Sequence, residues 1–401
     1  MAKSHLHPAD LHALARLATD ATLGVTDIVE AMHYAILHPG LRAAESTARL
    51  NGISGFVYRS VRGVTRLTAG GIDAAFKPLR PLLRERSSSP EREAVLAALN
   101  GVLGDHMAAS GNALAIPMRL RHAGLPLILD KPALQAALPA ANGRLLIMAH
   151  GLCMNDLQWR RQGHDHGAAL ARDLGYTPVY LHYNTGLHIS ENGRAFAGLL
   201  ERLVAHWPQP VEELVIVCHS MGGLVTRSAC HTAAAERHAW LGRLKKLVFL
   251  GTPHHGAPLE RIGSWADTVL QATRYTAPFA RLGKLRSAGI TDLRHASLLD
   301  EDWQGQDRFA AKAPAPRAVP LPATVSSYAI AATLGRASGD IGDRMLGDGL
   351  VPLDSALGID AHGARSPSLP STRQWVAYRT GHMDLLNRPE VYTQLRSWLA
   401  D

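Results

Sequence analysis

The run Val215-Ile216-Val217-Cys218-His219-Ser220-Met221-Gly222-Gly223 constrains this chain more than any other stretch. An apolar segment of strand length ends at a serine, and two glycines follow at once. Such a run reads as a buried strand that turns sharply into a helix, with the serine hydroxyl lifted clear of the sheet. Small residues on either side of the serine let the helix leave close to the strand. Gly222 and Gly223 meet that need on one side, and Cys218 stands where the G-x-S-x-G pattern has its first glycine. Cysteine is small and commonly buried, so it fills the place. The Met221 N–H, at a helix N-terminus where amides point outward unpaired, suits an oxyanion. Cys218 itself, inside an apolar strand, reads as an inert thiol. His219 adjoins Ser220, but consecutive strand side chains point to opposite faces, so a base has to come from elsewhere. On this fragment alone a second reading stands, in which Ser220 merely caps a helix.

Three further fragments weigh against that second reading. Arg144-Leu145-Leu146-Ile147-Met148-Ala149-His150-Gly151-Leu152 is a near-continuous apolar run ending in His-Gly. It predicts a buried strand whose following loop supplies a second oxyanion N–H from Leu152, with Gly151 letting the backbone approach a substrate. Gly347-Asp348-Gly349-Leu350-Val351-Pro352 follows the apolar stretch Tyr328–Ala332. A carboxylate is needed to hold an imidazole in one tautomer, and Asp348 suits the role. Asp340, Asp343 and Asp354 are rivals, and Asp-Gly is also a plain turn signal. Gly381-His382-Met383-Asp384 follows the strand-like Trp375-Val376-Ala377-Tyr378 and offers His382 as general base.

The order Ser220, Asp348, His382 is that of one hydrolase class and not of the chymotrypsin or subtilisin types. With these residues and Leu250-Gly251-Thr252-Pro253-His254-His255-Gly256, the chain resembles the lipase and esterase branch of the α/β-hydrolase superfamily. The bacterial triacylglycerol-lipase-like and GPI-inositol-deacylase-like proteins are the nearest groups. The resemblance spans about residues 140–401. It implies an α/β-hydrolase fold, a mostly parallel sheet with helices on both faces. It also implies a triad of Ser220, Asp348 and His382 with oxyanion donors Leu152 and Met221. The expected activity is hydrolysis of carboxylic esters through an acyl-enzyme. The same scaffold also serves acyltransferases, and a membrane-surface or partner-binding protein could use it without chemistry.

Secondary-structure patterning supports the same fold class. Pro178–Tyr183 reads as a strand, Glu191–His206 as a helix with Ser190 as N-cap, and Leu247–Leu250 as a further strand. Alternation of this kind predicts a parallel sheet. Leu187, in the loop after the first of these strands, either touches an acyl group or packs in the core. Residues 257–325 form a long insertion, with Leu259, Ile262, Trp265, Val269 and Leu270 at helical spacing. A cap or lid over Ser220 is the expectation for it.

Residues 1–139 predict a mostly helical extension. One helical pattern begins at Leu11, Leu14, Ala15 and Leu17, and a second runs through Ile53, Phe56, Val57, Val61, Val64 and Leu67 with Arg59, Arg62 and Arg66 opposite. A basic amphipathic helix suits a membrane interface; docked on a domain, its basic face is simply solvated. The second arrangement is favoured because several glycines weaken a free helix.

Composition sets the remaining bounds. A chain of 401 residues, nearly half of them hydrophobic, is globular with a large core. Its formal charge of +8 comes without zinc-knuckle spacing or an aromatic-interleaved basic platform, so nucleic acid is not an expected partner. An ester or lipid substrate is expected, with membrane-surface contact through the N-terminal region as a further option. Cys153, Cys218 and Cys230 are an odd set that points to reduced thiols, and no secretory h-region or apolar span is apparent. Cytoplasmic residence follows as an expectation. No cofactor is called for. His164-Asp165-His166 and His254-His255 lack a third ligand, and a structural calcium at Asp340 or Asp343 is not required by anything in the sequence.

Overall fold

The computed structural model describes residues 8–37, 50, 52–76, 89–258, 286–307, 316–336, 347–359, 367 and 369–400. Leu259, Ile262, Trp265, Val269 and Leu270 of the insertion, and the rival carboxylates Asp340 and Asp343, lie outside these residues. The chain divides into two compact units, Met1–Arg92 with Met107–Ala115, and Glu93–His106 with Ile116–Asp401.

In the first unit, helices α1 (Pro8–Leu37) and α2 (Gly52–Phe76) pack together. Arg62 of α2 is buried rather than solvated, because Asp27 and Glu30 of α1 both pair with it. Phe56, Val57, Val61, Val64 and Leu67 are exposed instead. The sequence pattern placed the apolar row inward and the arginine row outward. Two carboxylates on the neighbouring helix reverse that order at Arg62. Among the described residues no helix is long and apolar enough to cross a membrane.

The second unit is built on an eight-stranded sheet. Its strands are β1 (Arg119–His122), β2 (Leu125–Pro126), β3 (Arg144–Ala149), β4 (Thr177–His182), β5 (Glu213–His219), β6 (Leu244–Leu250), β7 (Ser326–Thr333) and β8 (Gln374–Tyr378). They lie in the order β2-β1-β4-β3-β5-β6-β7-β8. The β1–β2 and β1–β4 pairs are antiparallel, and every pair from β4 to β8 is parallel. This is an α/β-hydrolase fold, and its sheet begins upstream of residue 140.

The apolar runs follow from that topology. Strands flanked on both sides and covered on both faces have no solvated side, so β3 and β5 are apolar along almost their whole length. Leu145 through Ala149 and Leu214 through Cys218 are fully buried. On one face Leu146, Met148, Val215, Val217 and Val248 pack with Trp159, Leu170, Leu395 and Leu399. Burying each such side chain contributes about 1.5–3 kcal/mol. Helices α3 (Pro90–Ala109), α4 (Lys131–Ala137) and α5 (His166–Leu174) precede helix α6 (Ile189–His206). Helix α6 is not capped by Ser190, which lies in its first turn and donates to Asp300 Oδ1 at 2.5 Å. Asp292, from the helix Ala288–His295, takes over the helix start by accepting from the Ile189 amide at 2.9 Å. A carboxylate there also complements the helix dipole.

Candidate active site

Strand β5 lies between β3 and β6, and Ser220 leaves its C-terminal end with φ 53° and ψ −126°. A non-glycine residue rarely adopts such a backbone, and strain of this kind persists only where the surroundings enforce it. The enforcing contacts are the Ser220 amide donating to the Leu250 carbonyl at 2.9 Å and helix α7 (Met221–Glu236) starting immediately afterwards. The two glycines are steric requirements. A Cβ on Gly222 would lie 2.5 Å from the His150 carbonyl oxygen, and one on Gly223 would lie 2.1 Å from Thr252 Oγ1. Cys218 is fully buried, its Sγ lies 3.3 Å from the Val248 carbonyl oxygen, and burial pushes its thiol far above the ordinary range. It is therefore unreactive.

Gly151 brings the loop after β3 against the serine, since a Cβ there would stand 2.9 Å from Ser220 Cβ. The Leu152 and Met221 amides have no hydrogen-bond acceptor among the described residues. Leu152 lines the same cavity as Ser220, and Met221 follows the serine directly.

Asp348 sits in a turn between Gly347 and Gly349, both at positive φ. Its Oδ1 accepts from the Leu350 and Val351 amides at 3.0 and 2.7 Å, which leaves Oδ2 for His382 Nδ1 at 2.7 Å. The His382 amide also donates to the Asp348 carbonyl at 3.1 Å. A carboxylate on Nδ1 fixes the proton there and leaves Nε2 as the acceptor. Nε2 of His382 is buried and has no hydrogen-bond partner among the described residues. Asp354, the rival within the described residues, lies on the short helix Leu353–Leu357 beside a different cavity, with His255 and Arg294.

Ser220, His382, Gly151 and Leu152 line one cavity of about 10 Å³ together with Met154, His219, Leu293 and Leu350. That is room for about one water. Leu187 is half-buried and absent from these walls. The helix Ala288–His295 packs close by, since a Cβ on Gly289 would meet the Thr185 and Leu187 carbonyls and Met221 Cε, and its Leu293 lines the cavity.

Two buried histidines hold the turn that carries His382. His219 lies 3.2 Å through Nε2 from the His382 carbonyl, and His166 lies 2.9 Å through Nε2 from the Leu385 carbonyl. A carbonyl accepts only, so both Nε2 atoms carry protons. His166 Nδ1 in turn accepts from His164 Nε2 at 2.8 Å. Burial drives His219 well below the ordinary imidazole range and His166 down to about 4, so both are neutral near pH 7. The His164-Asp165-His166 run is thus a positioning chain, and Asp165 caps its helix and accepts from Tyr180 Oη at 2.7 Å. Among the described residues no group of His, Cys, Asp or Glu is arranged to hold a metal. Sequence reasoning missed these anchors and the apolar walls at Met154, Leu293 and Leu350. The spacing of His164 and His166 was a signal that became legible only with their partners.

A family described as a domain of unknown function (DUF7379) matches residues 129–294. No curated protein matches. Among solved structures, the mature form of Bacillus licheniformis lipase BlEst2 is 17% identical, with a TM-score of 0.41, over 65% of this chain and 93% of the lipase. The Pyrococcus furiosus esterase Pf2001 is 12% identical, with a TM-score of 0.39, over 65% of this chain and 81% of the esterase. Naproxen esterase from Bacillus subtilis is 14% identical, with a TM-score of 0.33, over 64% of this chain and 83% of that one.

Proposed function

We propose that this protein is a serine hydrolase that cleaves carboxylic esters through an acyl-enzyme. One observation carries the reading. His382 is held by Asp348 at 2.7 Å through Nδ1, its Nε2 has no partner among the described residues, and His382 and the strained Ser220 line one cavity. Ser220 attacks the ester carbonyl as His382 takes its proton. Asp348 keeps the imidazole in the required tautomer and stabilises the imidazolium. The Leu152 and Met221 amides hold the developing oxyanion. His382 returns the proton to the leaving alkoxide, and water activated by the same imidazole then releases the acid.

The walls suit an apolar acyl group, since Leu152, Met154, Leu293 and Leu350 surround the serine. At about 10 Å³ the cavity holds no acyl chain. The insertion therefore acts as a lid, and the helix Ala288–His295 moves for substrate to enter.

The test compares wild type with Ser220→Ala on a series of p-nitrophenyl esters of increasing acyl length. Wild type turns them over and the variant falls by about 10⁴-fold or more, towards background. Equal rates for the two proteins remove the proposal.

A further inference from the structure

Three arginines are buried among the described residues: Arg62, Arg121 and Arg227. Two of them have their charge answered. Arg62 pairs with Asp27 and Glu30, and Arg121 with Glu93 and Asp156. Arg227, on the helix that Ser220 opens, is 3% exposed and has no carboxylate partner among the described residues. Its Nη2 donates to the Val319 carbonyl at 2.7 Å. Its Nη1 makes only long contacts, 3.3 Å to His254 Nδ1 and 3.4 Å to the His254 carbonyl. Its Nε is buried with no acceptor.

A guanidinium keeps its proton at any ordinary pH, and a buried charge is costly unless an opposite charge answers it. Burial lowers the Arg227 guanidinium only to about 10, so it remains a cation at neutral pH. His254 adds a second unanswered donor. An arginine only donates, so His254 Nδ1 accepts and its proton sits on Nε2. That Nε2 is also buried without a partner among the described residues. Arg227 and His254 both border a cavity of about 10 Å³, shared with His295, Leu298, Arg317 and Val319. Among the described residues no carboxylate borders it.

We propose that this cavity binds one monatomic anion, chloride in ordinary media, held by Arg227 Nε–H and His254 Nε2–H. The volume of about 10 Å³ leaves room for one small occupant, which favours a monatomic ion over a phosphate or an organic acid. The anion supplies the missing charge where three segments meet: helix α7, the loop Thr252–Gly256 after β6, and the stretch at Val319. Chloride binding therefore stabilises the fold from a place separate from the serine cavity, and the assignment stands whatever Ser220 does.

The experiment follows the thermal midpoint of the full-length protein in sodium chloride and in sodium gluconate at equal ionic strength, gluconate being too large to enter. The expected result is a midpoint that climbs with the logarithm of chloride concentration for wild type and not for Arg227→Gln. Independently of that variant's folding, wild-type crystals grown in sodium bromide are expected to show an anomalous scattering peak beside Arg227 Nε. Identical midpoints in the two salts, or a bromide map without that peak, mean that the cavity holds water and overturn the proposal.

Discussion

His219, the residue immediately before Ser220, reaches through Nε2 to the backbone carbonyl of His382, 3.2 Å away. The residue at the end of the elbow strand thereby ties down the turn that carries His382, which lines one cavity with Ser220. Replacing His219 with alanine removes this tie while leaving Asp348 on Nδ1. The expected outcome is a fall in kcat of about 10- to 100-fold with KM little changed, the pattern of a misplaced base. Steady-state kinetics on one ester decide it, and a fall confined to KM contradicts the positioning role.

Asp348→Asn tests the other support of His382. An amide in place of the carboxylate presents a donor where Nδ1–H needs an acceptor, and the imidazole takes the wrong tautomer. Turnover is expected to drop by about 10⁴-fold with folding intact. A variant that retains a tenth of the wild-type kcat shows that another group does the work.

Acid should weaken the fold through its buried imidazoles. His150 and His166 are each pushed by burial from 6.5 to about 4. Their folded-state values lie below the unfolded one, so the unfolded chain binds protons first as pH falls. The stability they contribute is complete above about pH 6.5 and is lost progressively down to about pH 4, on the order of 3 kcal/mol each at most. Urea midpoints measured between pH 4 and pH 8 are expected to plateau at the alkaline end and decline below 6.5. A flat profile contradicts the burial of these rings as neutral species.

Gly222→Ala tests the steric closeness of α7 and β3. The new methyl would meet two backbone carbonyls, at 2.5 Å from His150 and 2.6 Å from Ala149, and neither can swing aside. Destabilisation of about 1–3 kcal/mol or more is expected, with loss of ester turnover as the elbow shifts. Denaturant titration measures the first and a chromogenic ester the second.

Leu293→Ala opens the cavity from the insertion side. Esters with longer acyl chains are expected to gain in kcat/KM relative to short ones. An unchanged ratio across the acyl series shows that Leu293 does not limit access.

Features that depend on neighbours in sequence were legible early. Leu145–Ala149 and Leu214–Cys218 announce interior strands because both faces are covered, and Ser220-Met221-Gly222-Gly223 announces the turn because only small residues fit there. The meeting of Asp348 with His382 depended on order along the chain, which a shared topology makes informative. What depended on distant partners stayed hidden. Arg62 looked solvated until Asp27 and Glu30 of the other helix were in place. Ser190 looked like a cap because Asp292 lies about a hundred residues away in sequence. Leu187 was a candidate from its place after a strand, whereas Leu293, from the insertion, is the one that lines the cavity with Ser220.

The single-water size of the chamber beside Ser220 imposes an order of events on any catalytic cycle. On the proposed reading, an acyl group does not fit with the walls as they stand and has to wait for them to part. If parting is slower than bond breaking, esters with very different leaving alcohols are consumed at one common saturating speed. That speed then reports the rearrangement of the covering helix and not the chemistry beneath it.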